Sequence, residues 1–325
     1  MTVLKRLLFF VMLYSAKLLS AEAVHKAGET AGKKSPPTFF SYLLKPKFII
    51  MLLIGLAALM LLKSNKMKKG IKVALLLLST FLFGFAGNIP SDFFNSFAMH
   101  PSPMCAATKA LLYGFGIPFI VTLSVIFFLT LIGPKLFCGY VCPVGAVQEL
   151  IAMLSDKLKL RRFSTNFRIA HGVRLIIFLL FIFISATAIL SITFKGQVFP
   201  RSLYDFINPF HGLEFGVEKS LIGYITHYVP FILTVILSFK YYRPFCHFVC
   251  PIGLYSHFLE QISVFRIRFR KAGCTDCNIC LKKSPCTAIP SILNGSELRP
   301  DCFACNVCVD VCPEKVLDVG VRRLK

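Results

Sequence analysis

The chain alternates between long apolar runs and short basic stretches. Five apolar runs lie near residues 48–62, 71–87, 111–132, 175–194 and 224–239, the first short unless residues from 40 onward join it. A helix crosses a bilayer with about 20 consecutive apolar residues, so each run predicts a membrane helix. Ahead of them come Lys5 and Arg6, an apolar stretch from Leu7 to Ala16, Lys17, and the small-residue triplet Ala21-Glu22-Ala23. That order reads as a signal peptide or a first helix over residues 1–23. Residues 24–47, with Pro36 and Pro37, have no clear period and predict an extramembrane segment. The fold class that follows is an all-α transmembrane domain over 48–262, with about five or six helices. Behind it, residues 263–325 form a small α+β C-terminal domain.

The basic residues are not evenly spread. Lys63, Lys66, Lys68 and Lys69 fill one connection, and Lys135, Lys157, Lys159, Arg161, Arg162, Arg168 and Arg174 fill another. By contrast 88–110 holds only Lys109, and 195–223 holds Lys195, Arg201 and Lys219. Positive charge marks the cytoplasmic side of a membrane protein. The pattern therefore predicts a multi-pass protein of the cytoplasmic (inner) membrane of a prokaryote. Its C-terminal domain, introduced by Arg243, Arg266, Arg268, Arg270 and Lys271, is expected in the cytoplasm. Segment 24–47 runs against the rule, because it would lie outside with five lysines. Composition agrees with a chain that lives in lipid: 325 residues, 56% hydrophobic, 16% charged and a mean hydropathy of +0.70. A formal charge of +22 would suggest nucleic acid in a soluble protein, but here it sits between apolar runs and reads as topology. The lipid bilayer is the expected partner; no nucleic-acid-reading motif is present.

A repeat runs through the apolar region. Asp92-Phe93-Phe94-Asn95-Ser96-Phe97 matches Asp205-Phe206-Ile207-Asn208-Pro209-Phe210, and His100 then pairs with His211. Further on, Lys109-Ala110-Leu111-Leu112 pairs with Lys219-Ser220-Leu221-Ile222, and FCGYVCPVG at 137–145 with FCHFVCPIG at 245–253. The repeated unit is two helices joined by an outer loop and closed by a cysteine motif. Two parallel copies predict a pseudo-twofold axis along the membrane normal.

The thirteen cysteines carry the chemistry. Cys302, Cys305, Cys308 and Cys312, followed by Pro313, have the C-x2-C-x2-C-x3-C-P spacing that ligates [4Fe–4S] clusters, with the fourth cysteine serving the other cluster. A lone run of this kind could be a zinc site. The second run of Cys274, Cys277, Cys280 and Cys286 argues for clusters instead. Crossed ligation predicts one cluster on Cys274, Cys277, Cys280 and Cys312 and another on Cys286, Cys302, Cys305 and Cys308. Cys286 follows five spacer residues and is preceded, not followed, by proline, which departs from the usual pattern. Asn294-Gly295 between the runs signals a hairpin, with 265–269 and 316–319 as flanking strands of a small ferredoxin-like fold.

In Cys138-x3-Cys142-Pro143 and Cys246-x3-Cys250-Pro251 the proline disfavours helix at the second cysteine and suits the first turn of the next helix. Four such cysteines brought together by the repeat make a site for an additional cluster or other metal, or a dithiol redox pair. The alternative is a structural corner with packed thiols. Histidines 100 and 211, with Asp92 and Asp205, are candidates for a quinol and proton site on the outer face, although such histidines also cap helices. His227 in an apolar run joins that set. Met104 and Cys105 are a faint soft-ligand pair for copper.

The paired C-x3-C-P motifs followed by two cluster runs make the chain resemble the NapH/NosR-type membrane polyferredoxins over roughly residues 70–325. The resemblance implies a quinol dehydrogenase-like electron-transfer component linking the membrane quinone pool to other redox proteins. It does not name the terminal donor or acceptor. Competing expectations are a maturation factor that handles copper for another enzyme and a cluster-based redox sensor.

Overall fold

The computed structural model describes residues 38–89, 91–97, 116–163, 165–189, 208–213, 221–296, 299 and 301–322. After a short helix α1 (Phe39–Leu43), α2 (Pro46–Lys63) and α3 (Lys69–Thr80) form a pair, α3 running on through a π-helical turn, Phe81–Phe85, and a 3-10 turn, Ala86–Asn88. The short α4 (Asp92–Asn95) follows, then α5 (Ile117–Ile132). A second π-helical turn, Phe137–Val141, leads into α6 (Pro143–Lys157). The second copy comprises α7 (Phe167–Ile189), α8 (Leu221–Ser238), the short α9 (Pro244–Phe248) and α10 (Pro251–Ile262). A further helix, α6 or α10, follows each C-x3-C-P motif. Helix α6 packs along α3, and α10 wedges between α5 and α7.

Among the described residues two helices are long and apolar enough to cross a bilayer, Pro46–Lys63 and Lys69–Asn88, with mean hydropathies of 2.0 and 1.8. Large apolar side chains lie exposed on several helices: Leu53 and Met60 on α2, Phe128 on α5, Ile176 and Phe183 on α7, Ile232 and Ile236 on α8. The run expected at 175–194 begins earlier, at Phe167. The N-terminal segment 1–37, with the signal-peptide or first-helix expectation, lies outside the described residues.

The tail pairs β1 (Phe265–Phe269) with β2 (Leu317–Val321) antiparallel, in register from Phe265 opposite Val321 to Phe269 opposite Leu317. Between them run three short helices, α11 (Ile279–Lys283), α12 (Ile289–Leu293) and α13 (Val307–Asp310). Ile267, Leu317 and Val319 face a core shared with Leu62, Leu76 and Tyr140. The hairpin expected at Asn294-Gly295 is instead a helix end. Pro290 starts α12, Asn294 caps it by donating to the Pro290 carbonyl at 3.1 Å, and Gly295 takes the left-handed conformation at φ +66°. A glycine just past a helix C-terminus serves that role as well as it serves a tight hairpin, so the dipeptide alone does not distinguish them.

Three helix ends meet the tail, those of α2, α3 and α5. Lys63, ending α2, lies over the Phe265 ring at 5.4 Å. Lys72 in the first turn of α3 donates to the Cys305 carbonyl at 2.9 Å. Leu131 in the last turn of α5 accepts from the Val264 amide at 2.8 Å.

Buried charge joins the two parts. Asp301, fully buried, pairs with Lys135, with Arg174 (both Nη at 3.3 Å) and, through Oδ2, with His247 Nδ1 at 3.1 Å. Desolvation pushes the Asp301 carboxyl up, but Lys135, His247 and Arg174 outweigh it and hold it well below the usual carboxylate range. A second buried carboxylate, Glu149, accepts from Lys72 at 2.5 Å, Arg243 Nε at 2.9 Å and the Tyr242 hydroxyl at 2.7 Å. Lys135, Arg174 and Arg243, which read from the sequence as cytoplasmic surface charges, are therefore interior groups. Runs of basic residues at a membrane edge look alike in sequence whether water or a distant carboxylate solvates them.

Asp301→Asn leaves Lys135 and Arg174 buried without their anion, which costs about 3–5 kcal/mol for a broken interior pair. Thermal unfolding of the detergent-solubilised chain should show a clearly lowered Tm. An unchanged Tm would mean that the pair contributes nothing net. Gly139 is a second test, since a Cβ there would stand 2.6 Å from the Phe303 carbonyl oxygen. Gly139→Ala is expected to lift the tail off the helices and speed alkylation of Cys138 and Cys246 in the protein stripped of metal; unchanged labelling would count against that close approach.

Candidate metal centres

The two tail runs fold by the same local device. In Cys274-Thr275-Asp276-Cys277-Asn278-Ile279-Cys280, Asp276 and Asn278 have φ of 50° and 56°. In Cys302-Phe303-Ala304-Cys305-Asn306-Val307-Cys308, Ala304 and Asn306 have φ of 51° and 65°. Left-handed residues on either side of the middle cysteine reverse the chain twice, so three thiols wind around one point. Asparagine tolerates this conformation better than most residues. Each run then enters a short helix, α11 or α13, from its asparagine.

The fold sorts the eight tail cysteines into two sets. Cys274, Cys277, Cys280 and Cys312 line one cavity together with Phe269 and Leu317. Cys286 lies with Cys302, Cys305 and Cys308, all three of which act on it electrostatically. The Cys286 thiol hydrogen-bonds Cys305, and this, with Lys72 nearby, outweighs burial and holds Cys305 below the usual thiol range, toward the thiolate that binds metal. The first set is superficial, with Cys277 exposed; Cys302, Cys305 and Cys308 are buried against the helices. Despite its odd spacing, Cys286 reaches the buried set.

The four C-x3-C-P cysteines also converge. All are buried in one apolar cluster with Phe137, Phe245 and Phe303. Cys138 is within electrostatic range of Cys246 and Cys250, and Cys142 of Cys246, Cys138 and Cys250. The two copies share their backbone: Cys142 and Cys250 are extended, at φ/ψ of −65°/121° and −64°/117°, and Pro143 and Pro251 open the next helices. Lys135 and Arg243, three residues ahead of the first cysteine of each copy, both sit at φ 49°. The Gly145 amide lies 3.5 Å from Cys142 Sγ, and Gln148 Nε2 donates to Cys246 Sγ at 3.4 Å. Arg243 Nη1 donates to the Cys138 carbonyl at 2.7 Å and Arg174 Nη1 to the Cys246 carbonyl at 3.1 Å. A side chain at Gly145 would collide with the Cys138 carbonyl at 2.4 Å.

All twelve of these cysteines are free thiols. Among the described residues, no three Cys, His, Asp or Glu side chains meet closely enough to share a single metal ion. Thiols grouped in fours, with C-x2-C-x2-C spacing in the tail, fit the four-thiolate ligation of a [4Fe–4S] cluster. Phe303, between the buried tail set and the four C-x3-C-P thiols, packs its ring 5.5 Å from His247 and 6.3 Å from Tyr242, with the Arg243 guanidinium 4.7 Å from its centre.

Several groups that organise these centres were not singled out from the sequence: Lys72, Glu149, Gln148, His247, Asp301 and Phe303. The available signal was the in-register pairing of Lys135 with Arg243 in the repeat. Of the outer-face candidates, His100, Met104, Cys105 and Asp205 lie outside the described residues. Asp92, His211 and His227 fall on described backbone, but their side chains do not belong to the described part.

A family model for a 4Fe–4S binding domain matches twice, at residues 115–161 and 226–270. Each match contains one C-x3-C-P motif. The ferredoxin-type protein NapH of Haemophilus influenzae is 28% identical over 208 residues, 61% of this chain and 66% of that protein. The putative electron transport protein YccM of Escherichia coli is 28% identical over 57% of this chain and 50% of its own length. The regulatory protein NosR of Pseudomonas aeruginosa is 23% identical over 56% of this chain and 24% of its own. The chain thus spans under two thirds of the length of each of these relatives. No solved structure matches the chain. With the duplicated cysteine motif and the two tail runs, these matches make the chain similar to ferredoxin-type proteins of the NapH/NosR kind and place 4Fe–4S binding sequences in it.

Proposed function

We propose that the protein is a membrane-embedded iron–sulfur electron carrier that links the quinone pool to a redox partner, with its tail in the cytoplasm. The observation that carries this reading is the graded burial of three groups of four thiols. One group is at the tail surface, one is at the seam with the helices, and one lies between the two repeats. When bound, [4Fe–4S] groups supply single-electron storage and transfer. Cys274, Cys277, Cys280 and Cys312 hold the surface group, and Cys286, Cys302, Cys305 and Cys308 the seam group. Cys138, Cys142, Cys246 and Cys250 hold a third.

Charge supports a third anionic centre. Among the described residues Lys72, Lys135, Arg174 and Arg243 bring four buried positive charges to the seam, where three carboxyl groups, Glu149, Asp301 and Glu260, are buried. Buried charges persist only where they are paired or face a metal site, and thiolate-bound clusters supply the missing negative charge. The exposed Leu53, Phe128, Phe183 and Ile232 suit lipid contact, since soluble monomers rarely expose such apolar area. The quinone link rests on the family and leaves the direction of electron flow open. The buried tetrathiol group also suits Cu(I), which would fit a maturation factor.

Anaerobically purified protein should carry about twelve irons per chain, and Cys250→Ser about eight, with the tail signals intact in EPR. Signals that grow on adding a quinol analogue support the quinone link; clusters that respond to dithionite alone would remove it. Copper in place of the third group would favour the maturation reading, and zinc throughout would sink the electron-transfer reading.

A further inference from the structure

Gln148 lies on α6, one residue before Glu149, and its side chain is fully buried. Its amide has one orientation. Oε1 accepts from the Phe245 backbone N–H at 3.0 Å, and because that group can only donate, the amide nitrogen must take the other side. From there Nε2 donates to the Val144 carbonyl at 3.1 Å and to Cys246 Sγ at 3.4 Å. Beside it Glu149 accepts from the Tyr242 hydroxyl and from Arg243 Nε. Two adjacent residues of the first copy therefore grip segment 242–246 of the second by four bonds, which keep the amide turned toward the sulfur.

The repeat shows what is particular to this bond. Carrying the match of 137–145 with 245–253 three residues further sets Gln148 opposite Ser256. Ser256 is also buried, but its hydroxyl donates to the Gly253 carbonyl at 3.2 Å, within its own helix. Lys135 and Arg243, by contrast, act electrostatically on Cys138 and on Cys246 alike. The Gln148 amide thus distinguishes Cys246 from its counterpart Cys138.

Hydrogen bonds to the sulfurs are among the levers that set the potential of an iron–sulfur centre. One-electron reduction makes the centre and its thiolates more negative. A donor aimed at a ligand sulfur favours that more negative form, and more strongly in a dry interior than in water. We infer that Gln148 is a positioning residue that, through Cys246, raises the reduction potential of the C-x3-C-P centre. This rests on the proposal above that Cys138, Cys142, Cys246 and Cys250 hold such a centre.

The test is an EPR-monitored redox titration of the anaerobically purified full chain in detergent, with iron quantified in every sample. The signal that Cys250→Ser lacks identifies the third centre. Gln148→Met keeps the length of the side chain and removes the donor. It is expected to lower the equilibrium constant for reducing the third centre about tenfold, a shift of about 59 mV to lower potential for one electron, with the tail signals unmoved. Ser256→Ala should shift nothing. An unshifted potential in a Gln148→Met protein that retains about twelve irons, or an equal shift in Ser256→Ala, would overturn the inference. A second measurement needs no substitution and decides the matter should Gln148→Met lose its third centre. In the otherwise native chain carrying 15N only in its glutamine side-chain amides, the nitrogen modulation of the reduced third centre's spin echo should differ from that of unlabelled protein; identical modulation overturns the inference. Native protein with only about eight irons would instead remove the third centre itself, and with it the proposal on which the role of Gln148 rests.

Discussion

A buried carboxylate held by cations from two copies of a repeat is the constraint on which the molecule turns. Asp301 precedes the first cysteine of the last cluster run, and its partners Lys135 and Arg174 come from the first and second copies. With both cations buried, the segment carrying Asp301 cannot leave without stranding them in a low-dielectric interior. The register of Cys302 and Cys305 against the helices follows. Tyr140 donates to the Ala304 carbonyl at 2.9 Å and Lys72 to that of Cys305, so Asp301, Ala304 and Cys305 are all tied to the helical part. The tail is thus docked through the backbone of its cysteine run as well as through the core that β1 and β2 share with Leu62 and Leu76.

The same logic closes the space between the repeats. Arg243, from the second copy, bonds Glu149 and the Cys138 carbonyl of the first, and Gln148 of the first reaches Cys246 of the second. Apolar contact alone would let such helices slide, because side chains of similar size exchange neighbours at little cost. Directed bonds in a dry setting do not allow that. Four thiols from two distant motifs are thereby brought together, with helix starts at Pro143 and Pro251 set identically behind them.

Much of the architecture was legible from residue order. The apolar runs placed α2, α3, α5 and α8. The expected strand partners at 265–269 and 316–319 pair as β1 and β2, displaced by a residue or two at the end. The Asn294-Gly295 turn was misread because helix caps and hairpins ask the same left-handed conformation of glycine. Lys135, Arg174 and Arg243 were read as surface charges because a one-dimensional pattern records a residue's neighbours in the chain and not its partners across it.

What the sequence by itself determined is therefore the local and periodic part: which segments are apolar, where thiols recur at ligand spacing, and that a unit is duplicated. Those properties depend on residues a few positions apart, where the chain's own geometry sets the distances. Only the tertiary structure decided which thiols stand at the surface and which are buried, and that Lys72, Lys135, Arg174 and Arg243 enter the interior. It also decided that Glu149 and Asp301 pair with them. Burial and long-range pairing depend on how separate helices pack, and a charge is placed inside where a partner from a distant part of the chain arrives to meet it, as Asp301 does for Lys135, 166 residues away.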